Sequence, residues 1–193
     1  MIDNLKSVID FLRKQGVDYA DARFVHTLYE EISVKNGKVI ALNRGNSRGV
    51  GIRVLWHGAW GFAATCKTNE EELNHTAKQA LLIAKASAKT IREPIKLTQE
   101  VPYIDNYVTK IKKDPFEIPL DDKLNLLFKA DEIMRKFDKV KVAQSSMGFW
   151  KTEKIFVNTE GAQITQTIYE SGGGISATAV DAGELQKRSY PNS

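Results

Sequence analysis

Hydrophobic positions follow a helical period at the start of the chain and a period of two soon afterwards. Leu5, Val8, Ile9 and Leu12 recur at helical spacing, which predicts a short amphipathic helix with Asp3 or Asn4 as its cap and Gly16 as its stop. From residue 18 the alternating residues predict a strand with one face made of Ala22, Phe24, His26, Leu28, Ile32 and Val34. Asn36-Gly37 then predicts a hairpin turn, with residues 38–43 as the returning strand.

Residues 48–65, RGVGIRVLWHGAWGFAAT, predict a second hairpin around a two-residue turn at His57-Gly58. This turn pairs six positions: Trp56 with Ala59, Leu55 with Trp60, Val54 with Gly61, Arg53 with Phe62, Ile52 with Ala63, and Gly51 with Ala64. A phosphate-binding loop would need its glycines between a strand and a helix N-terminus. Because Gly49 and Gly51 lie within strand-like alternation, we interpret the glycines as packing positions of a hairpin.

The remaining pattern predicts two further helices and several strands. Thr68 or Asn69 caps a helix whose apolar face is Leu73, Ala77, Ala80, Leu81, Ala84 and Ala88. Residues 90–119 contain four prolines without sustained periodicity, which is typical of a linker. A third helix begins at Asp121 or Asp122, with a core stripe of Leu126, Leu127, Ala130, Ile133, Met134 and Phe137. Strands are predicted over 140–150, 153–158, 162–170 and 175–182.

These elements predict an α+β fold of two small domains, each with a helix packed on a mainly antiparallel sheet. The expected domains are residues 1–90 and 120–193, joined by a Pro-containing linker over 91–119.

Composition indicates an ordinary soluble, cytoplasmic protein. The chain has 193 residues, of which 42% are hydrophobic and 27% charged, and its apolar runs are too short to span a bilayer. The first residues lack a signal-peptide pattern, and a single cysteine excludes an intramolecular disulfide framework. The net charge of +4 is small and the basic residues are scattered, so nucleic acid is not an expected partner.

Single residues offer little chemistry on their own. Glu71 and His75 share a helix face, but a catalytic zinc site needs three ligands, so we interpret them as a solvated pair. His26 is expected to be a core histidine and His57 a turn residue. Cys66, at a strand end, is expected to be a small buried hydrophobe.

Paired and clustered residues also have structural interpretations. Glu30 and Glu31 should point to opposite faces of a strand, and Asp121-Asp122 should cap a helix. Trp56, Trp60 and Trp150 with Arg53 could stack on bases, but sheet packing is favoured. Gly172–Gly174 could form an anion nest, but a turn or a bulge is favoured. We therefore assign no catalytic, cofactor-binding or metal-binding residue to this chain.

The assembled pattern resembles a known family. The run DYADARFVHTLYEEISVKNGKVIALNRGNSRGVGIRVLWHGAWGFAAT and the alanine-rich helix after it are similar to the first domain of the TldD/PmbA family. Asp114-Pro115, the third helix and FVNTEGAQITQTIYESGGGISATAV resemble the family's central domain. QKRSYPNS resembles the stretch before the family's C-terminal domain, and the likeness is closer to the TldD type than to the PmbA (TldE) type.

The resemblance implies a cytoplasmic zinc-dependent peptidase that acts on peptides or unfolded chains. Family members assemble with a PmbA/TldE-like subunit or with themselves, and H-E-x-x-x-H in the C-terminal domain holds the zinc and supplies a general base. Some members are called modulators of DNA gyrase, a direct DNA activity that the weak charge of this chain does not support.

The family's metal motif cannot be carried over, because His26, His57 and His75 are followed by threonine, glycine and threonine. We expect the chain to be a fragment that lacks the catalytic C-terminal domain and is inactive alone. As part of a TldD-like peptidase it would act as a scaffold of the substrate chamber and as an assembly surface. The alternative is a short non-catalytic protein of the same family that binds peptides or a partner.

Overall fold

The computed structural model describes residues 1–98 and 101–191. Within these ranges the chain forms three α-helices and seven β-strands. The helices are α1 (Ile2–Lys14), α2 (Glu70–Ala88) and α3 (Leu120–Arg135). The strands are β1 (Tyr19–Lys35), β2 (Lys38–Trp56), β3 (Ala59–Thr65), β4 (Ile104–Val108), β5 (Val140–Asn158), β6 (Gln163–Asp181) and β7 (Glu184–Tyr190).

The strands form one sheet in the order β3-β2-β1-β5-β6-β4, with β7 also paired to β6. The β2–β3 and β6–β7 pairs are antiparallel, whereas β4 runs parallel to β6. The predicted α+β class with a mainly antiparallel sheet is confirmed. None of the helices in the described ranges is long and apolar enough to cross a bilayer.

Contacts divide the chain into two compact units, each built from three separate segments. Unit 1 contains residues 1–27, 47–108 and 152–168, and unit 2 contains residues 28–46, 109–151 and 169–191 of the described chain. Strands β1, β2, β5 and β6 contribute residues to both units. The predicted domain limits of 1–90 and 120–193 are sequence limits and stay a prediction.

The core of unit 1 forms from α1, α2 and the strands that they cover. Its buried apolar side chains include the predicted faces of both helices apart from Ala88, which is only partly buried. The buried members are Leu5, Val8, Ile9, Leu12, Leu73, Ala77, Ala80, Leu81 and Ala84. Asn69 caps α2 as predicted, since its side chain accepts a hydrogen bond from the Glu72 N–H at 3.0 Å. The predicted cap of α1 is wrong, because that helix begins at Ile2 and Asp3 and Asn4 lie inside its first turn.

Both predicted hairpin turns are present. Asn36 and Gly37 have φ of 47° and 74°, and His57 and Gly58 have φ of 47° and 77°, as a two-residue turn requires. All six predicted pairs between β2 and β3 occur in the observed register. Gly61 is required by close packing, because an added Cβ would lie 2.1 Å from the Ala80 carbonyl oxygen of α2.

The core of unit 2 is smaller and differs from the prediction. Ile32, Val34 and Leu127 are buried, with Leu120, Leu124, Phe128 and Met147 packed against them. The predicted stripe on α3 is correct at Leu127, which is buried, and in part at Ala130 and Met134, which are partly buried. It is wrong at Leu126, Ile133 and Phe137, which are more than half exposed. The buried side of α3 instead carries Lys123, Leu127 and Asp131, spaced by four residues. Because Lys123 and Asp131 are charged, apolar periodicity does not predict that this face of α3 is buried.

Several predicted boundaries also differ. Helix α3 begins after Pro119, so Asp121 and Asp122 lie in its first turn and not at the cap. Their negative charges still interact favourably with the positive end of the helix dipole. Strand β6 is continuous through Gly172–Gly174, so the predicted turn is wrong there, and the bulge stays a prediction. Strand β7 was not predicted, and the segment expected to be a linker contains β4.

Candidate functional site

The three histidines lie in three different environments. His26 is partly buried in β1, and its Nδ1 lies 3.1 Å from Glu153 Oε2. His57 is in the turn between β2 and β3, with its ring edge-on to Trp56 at 4.9 Å. His75 is exposed on α2, as is Glu71. Over residues 1–98 and 101–191, no three His, Cys, Asp or Glu side chains come together in a way that could hold a metal ion.

Other residues singled out in the sequence have the following positions. Glu30 is buried and Glu31 exposed, which confirms that they point to opposite faces of β1. Cys66 is exposed, so the prediction of a buried hydrophobe is wrong. Cys66 is in phase with Phe62 and Ala64, which are also exposed, so this alternation follows the solvent-facing side of β3.

Unit 1 contains a buried carboxylate paired with arginine. Asp21 in β1 is 1% exposed and lies between the buried Ala20 and Ala22. Arg53 in β2 donates to it from Nη2 to Oδ2 at 2.6 Å and from Nε to Oδ2 at 2.9 Å. A two-point arginine–carboxylate contact of this kind fixes the orientation of the guanidinium. Burial of Asp21 is therefore compensated, and Arg53 has a fixed position.

Aromatic rings support the arginines of this site. The Arg53 guanidinium lies 5.2 Å from the centre of the Trp60 ring, which is edge-on to Tyr19 at 5.9 Å. Arg23 lies over Phe156 at 4.9 Å, and its Nε is 3.6 Å from Asp21 Oδ1. Arginine stacks on aromatic faces while the edge of its guanidinium stays free to donate.

A groove of about 370 Å³ in unit 1 is lined by the two arginines and their aromatic neighbours Tyr19, Trp60 and Phe156. This volume falls within the range of roughly 300–1,000 Å³ that is usual for small-ligand sites. Its walls combine the two arginines with aromatic and aliphatic side chains, and Glu160 also lines it. We call this feature the Arg23–Arg53 groove. It can bind a group that presents both a polar and an apolar part.

Two protonation states in the groove follow from its contacts. Burial, reinforced by the charge of Asp21, raises the pKa of Tyr19 above its ordinary value, so the phenol stays protonated at neutral pH. The hydrogen bonds to Asp21 raise the pKa of Arg53 despite its partial burial. In the groove at physiological pH, the Tyr19 hydroxyl is therefore neutral and Arg53 is a cation.

Unit 2 contains a second buried charge cluster. Lys123 of α3 and Arg44 of β2 both donate to the Glu30 carboxylate, which is fully buried. The Lys123 ammonium also lies 4.8 Å from the centre of the Phe149 ring. Burial alone would raise the pKa of Glu30, but the hydrogen bonds from Lys123 and Arg44 outweigh it and hold the pKa below its ordinary value. This cluster joins α3 to the sheet within unit 2.

Sequence reasoning missed most of these residues. Asp21 stands between two alanines in a predicted strand and Arg53 stands in another, which is a weak indication of an ion pair. Lys123 and Glu30 are 93 positions apart, and only the packing of α3 brings them together. Among the residues that the sequence offers for stacking on bases, Arg53 and Trp60 do lie together in the structure.

Comparison with known proteins shows the family to which this chain belongs. The sequence profile described as PmbA/TldA metallopeptidase domain 1 matches residues 20–84, and the profile of the PmbA/TldA metallopeptidase central domain matches residues 113–192. The chain is 28% identical to Metalloprotease MJ0996 of Methanocaldococcus jannaschii over 88% of its own length and 37% of that protein. It is also 28% identical to the Metalloprotease TldD homolog of Buchnera aphidicola, over 76% of this chain and 29% of that one.

Solved structures show the same fold. A proposed modulator of DNA gyrase from Bacteroides thetaiotaomicron matches 97% of this chain with a TM-score of 0.76 at 15% identity, over 43% of its own chain. TldE from Thermococcus kodakarensis matches 96% of this chain with a TM-score of 0.66 at 16% identity, over 42% of its own chain. The chain thus spans well under half the length of these relatives. Because the two profiles together cover most of its sequence, the chain belongs to the PmbA/TldD metallopeptidase family.

Proposed function

We propose that this chain is the N-terminal part of a TldD-like zinc-dependent peptidase acting on peptides or unfolded chains in the cytoplasm. The observation that carries the proposal is the match of its two halves to domain 1 and the central domain of a metallopeptidase. In this proposal residues 1–90 and 120–193 are the two domains and 91–119 is the linker. Their role is to shape the substrate chamber and to provide an assembly surface.

The described residues do not fit a zinc site. His26 is engaged by Glu153, His57 lies in a turn and His75 is exposed on α2. No set of three potential ligands converges anywhere in the described ranges. A zinc ion that activates water needs three protein ligands and an open position. We therefore assign no hydrolytic step to this chain, and its contribution to the peptidase is binding.

Strand β4 is the best candidate for binding an extended peptide. It lies at one end of the strand order, and all five of its residues are exposed. Ile104 is 75% exposed, and Tyr107 and Val108 are about half exposed. An edge strand presents main-chain groups to which an incoming chain can add as a further strand. This mode tolerates many sequences, as a peptidase of unfolded chains requires.

The free hydrogen-bonding groups of β4 can be identified from its pairing. The Gln163 N–H donates to the Tyr103 carbonyl oxygen at 2.8 Å, and Ile104 is in register with Gln163. Since successive residues of a strand direct their main-chain groups to opposite sides, Ile104 directs its N–H away from β6. Ile104 is also the first residue of the strand, where proline is tolerated.

The test compares Ile104→Pro with Ile104→Ala. Both variants remove the same side chain, but only proline removes the outward N–H. The probe is a fluorescein-labelled, acetylated and amidated ten-residue peptide of alternating valine and serine, and its binding is followed by fluorescence anisotropy. We expect the proline variant to bind about threefold to tenfold more weakly than the alanine variant, because it lacks one main-chain hydrogen bond.

Equal affinity of the two variants would exclude strand addition at β4. Circular dichroism of both variants supplies the control, since each should retain the spectrum of the unmodified chain. Loss of the β-sheet signal in Ile104→Pro alone would mean that proline disrupts the β4–β6 pair.

The proposed assembly partner is a PmbA/TldE-like subunit or a second copy of the chain. The family membership of the chain supports this part of the proposal. Co-expression with a TldE-type protein followed by size-exclusion chromatography tests it, and migration of the two proteins as separate monomers would contradict it. The alternative function, a non-catalytic binding protein of the same family, predicts the same complex without zinc.

A further inference from the structure

Two arginines of the Arg23–Arg53 groove approach one buried carboxylate, and only one of them hydrogen-bonds to it. Asp21 is a single buried carboxylate, and two guanidinium groups approach it. Arg53 makes the close contacts, at 2.6 and 2.9 Å, whereas the Nε of Arg23 remains 3.6 Å away. Arg23 is 57% exposed, and its guanidinium lies over the Phe156 ring at 4.9 Å. One cation with accessible donors therefore remains in the groove.

The arrangement suits a planar anion. A guanidinium that stacks on a ring has its N–H edge directed sideways, where it can donate two parallel hydrogen bonds to a carboxylate. Arg53 adds to the field of Arg23 without being free to move, because Asp21 and Trp60 hold it on two sides. Such fixed donors reduce the entropy that a ligand loses on binding.

The walls of the groove define the rest of the ligand. Trp60, Phe156 and Tyr103 contribute aromatic surface, and Leu97 and Ile164 contribute aliphatic surface. A cavity of about 370 Å³ with these walls accommodates an apolar side chain next to the charged group. Inorganic anions would leave the apolar surface unused.

We propose that the Arg23–Arg53 groove binds a carboxylate carried by a peptide, with an apolar residue next to it. The carboxylate can be the C-terminus of the peptide or an acidic side chain, and both sources present the same planar anion. The inference rests on the proposed function in one respect, since that function makes peptides the ligand class. The carboxylate meets the free edge of Arg23, and the apolar side chain lies against Trp60 and Phe156.

Glu160 limits the affinity of this site. It is exposed and lines the same groove as Arg23 and Arg53, so it adds a negative charge beside the two arginines. A carboxylate near Glu160 is repelled, so removing the charge of Glu160 should strengthen the binding of a carboxylate. This opposite effect of two substitutions in one groove distinguishes a specific site from non-specific attraction to a basic surface.

The experiment is isothermal titration calorimetry of the 193-residue chain with three short probes. The first is acetyl-Ala-Ala-Phe with a free carboxylate, the second is its C-terminal amide, and the third is acetyl-Ala-Glu-Phe amide. We expect the free acid to bind at least about fivefold more tightly than its amide, as a charge-assisted hydrogen bond to arginine implies. The third probe identifies the source, because its affinity matches that of the free acid only if a side-chain carboxylate is accepted.

Variants connect the effect to the groove. Arg23→Gln should abolish the preference for the acid, Arg23→Lys should retain part of it, and Glu160→Gln should increase it. Arg188→Gln is the matched control, since Arg188 is an exposed arginine in unit 2 and its loss should change nothing. Arg23 is more than half exposed, so its substitution should leave the fold intact.

Equal binding of the acid and the amide, or an unchanged preference in Arg23→Gln, would overturn the inference. These outcomes are independent of the edge-strand test, in which the probe has no carboxylate. Failure of Ile104→Pro to weaken that probe contradicts the proposed mode of peptide binding, yet leaves the carboxylate preference to be explained by the groove.

Discussion

The buried contact between Lys123 and Glu30 shows how one ion pair holds α3 in unit 2. Glu30 is fully buried and Lys123 nearly so, which is expensive unless each charge is compensated. Lys123 satisfies one oxygen of Glu30 and Arg44 the other. The pair therefore defines which side of α3 faces the sheet, although it contributes little net stability compared with an apolar pair of equal size.

The first prediction separates the cost of breaking this pair from its net contribution. Lys123→Met should lower the free energy of unfolding by about 3 kcal/mol, the lower end of the range for a broken buried pair, because Arg44 still compensates part of the charge. The double variant Glu30→Leu/Lys123→Met should recover most of that loss. Urea denaturation measures both, and a double variant less stable than Lys123→Met would contradict the account.

The second prediction concerns the loss of stability at low pH. Glu30 has a pKa held below its ordinary value of 4.5, so the unfolded state binds the proton more readily than the folded state. The stability that the charged Glu30 contributes is fully present above that ordinary pKa and is lost as the pH falls through the lower folded-state pKa. The difference in free energy of unfolding between the unmodified chain and Glu30→Gln should therefore be constant from pH 7 to about pH 5 and shrink below. A difference that grows as the pH falls would mean that folding raises the pKa of Glu30, which contradicts the account.

The environment of a side chain could be predicted from sequence only where residues close in the chain determine it. His57 as a turn residue and the opposite faces of Glu30 and Glu31 follow from local geometry. The partner of Asp21 lies 32 positions away and that of Lys123 lies 93 away, so strand order and helix packing decide them. The prediction for Cys66 is wrong because the face of β3 that it shares with Phe62 and Ala64 is the exposed one.

At the scale of elements, glycines mark where two backbones come close. A Cβ at Gly61 would lie 2.1 Å from the Ala80 carbonyl oxygen and 2.4 Å from the Ala84 nitrogen, both in the backbone of α2. A Cβ at Gly172 would have nothing within 4 Å, although both glycines lie in strands. Glycine is therefore required for packing at the first position and not at the second.

The third prediction compares alanine at these two glycines. Gly61→Ala should lower the free energy of unfolding by about 3 kcal/mol or more, because α2 must move away from β3. Gly172→Ala should leave it unchanged within about 0.5 kcal/mol or raise it slightly, since alanine restricts the unfolded chain. Thermal denaturation of both variants measures this, and equal stability of the two would contradict the close packing of α2 on β3.

The fourth prediction concerns the face of α3. Leu127→Ala should cost about 2–5 kcal/mol, because Leu127 is 4% exposed and packs against Ile32 and Val34. Leu126→Ala should cost within about 0.5 kcal/mol, since Leu126 is 63% exposed. Chemical denaturation separates the two, and a larger loss at Leu126 would support the face predicted from apolar periodicity.

Elements were predictable where local pattern and turn chemistry agreed. The register of the β2–β3 hairpin was predicted correctly because apolar residues alternate on both sides of a two-residue turn. The α3 face was missed because its buried charges interrupt the apolar pattern. Strands β4 and β7 were missed because they are short and exposed, so burial leaves no alternation in their sequences.

At the scale of the whole molecule, the sheet order could not be predicted from pattern. Strand β4 comes before β5 and β6 in the sequence, but in the sheet it lies beyond them, at one end of the strand order. The parallel β4–β6 pair joins residues about 60 positions apart. The α+β class and the family resemblance were nevertheless evident, since both depend on the succession of elements and not on their spatial order.

The central proposal is that this chain binds extended polypeptide and that its described residues form no hydrolytic site. The most direct test incubates the 193-residue chain with fluorescein-labelled β-casein and one equivalent of zinc, and follows anisotropy and fragment release together. The account predicts increased anisotropy without fragments, whether or not EDTA is added. Fragment release that EDTA abolishes would contradict it, because it would place a complete metal-dependent site within these residues.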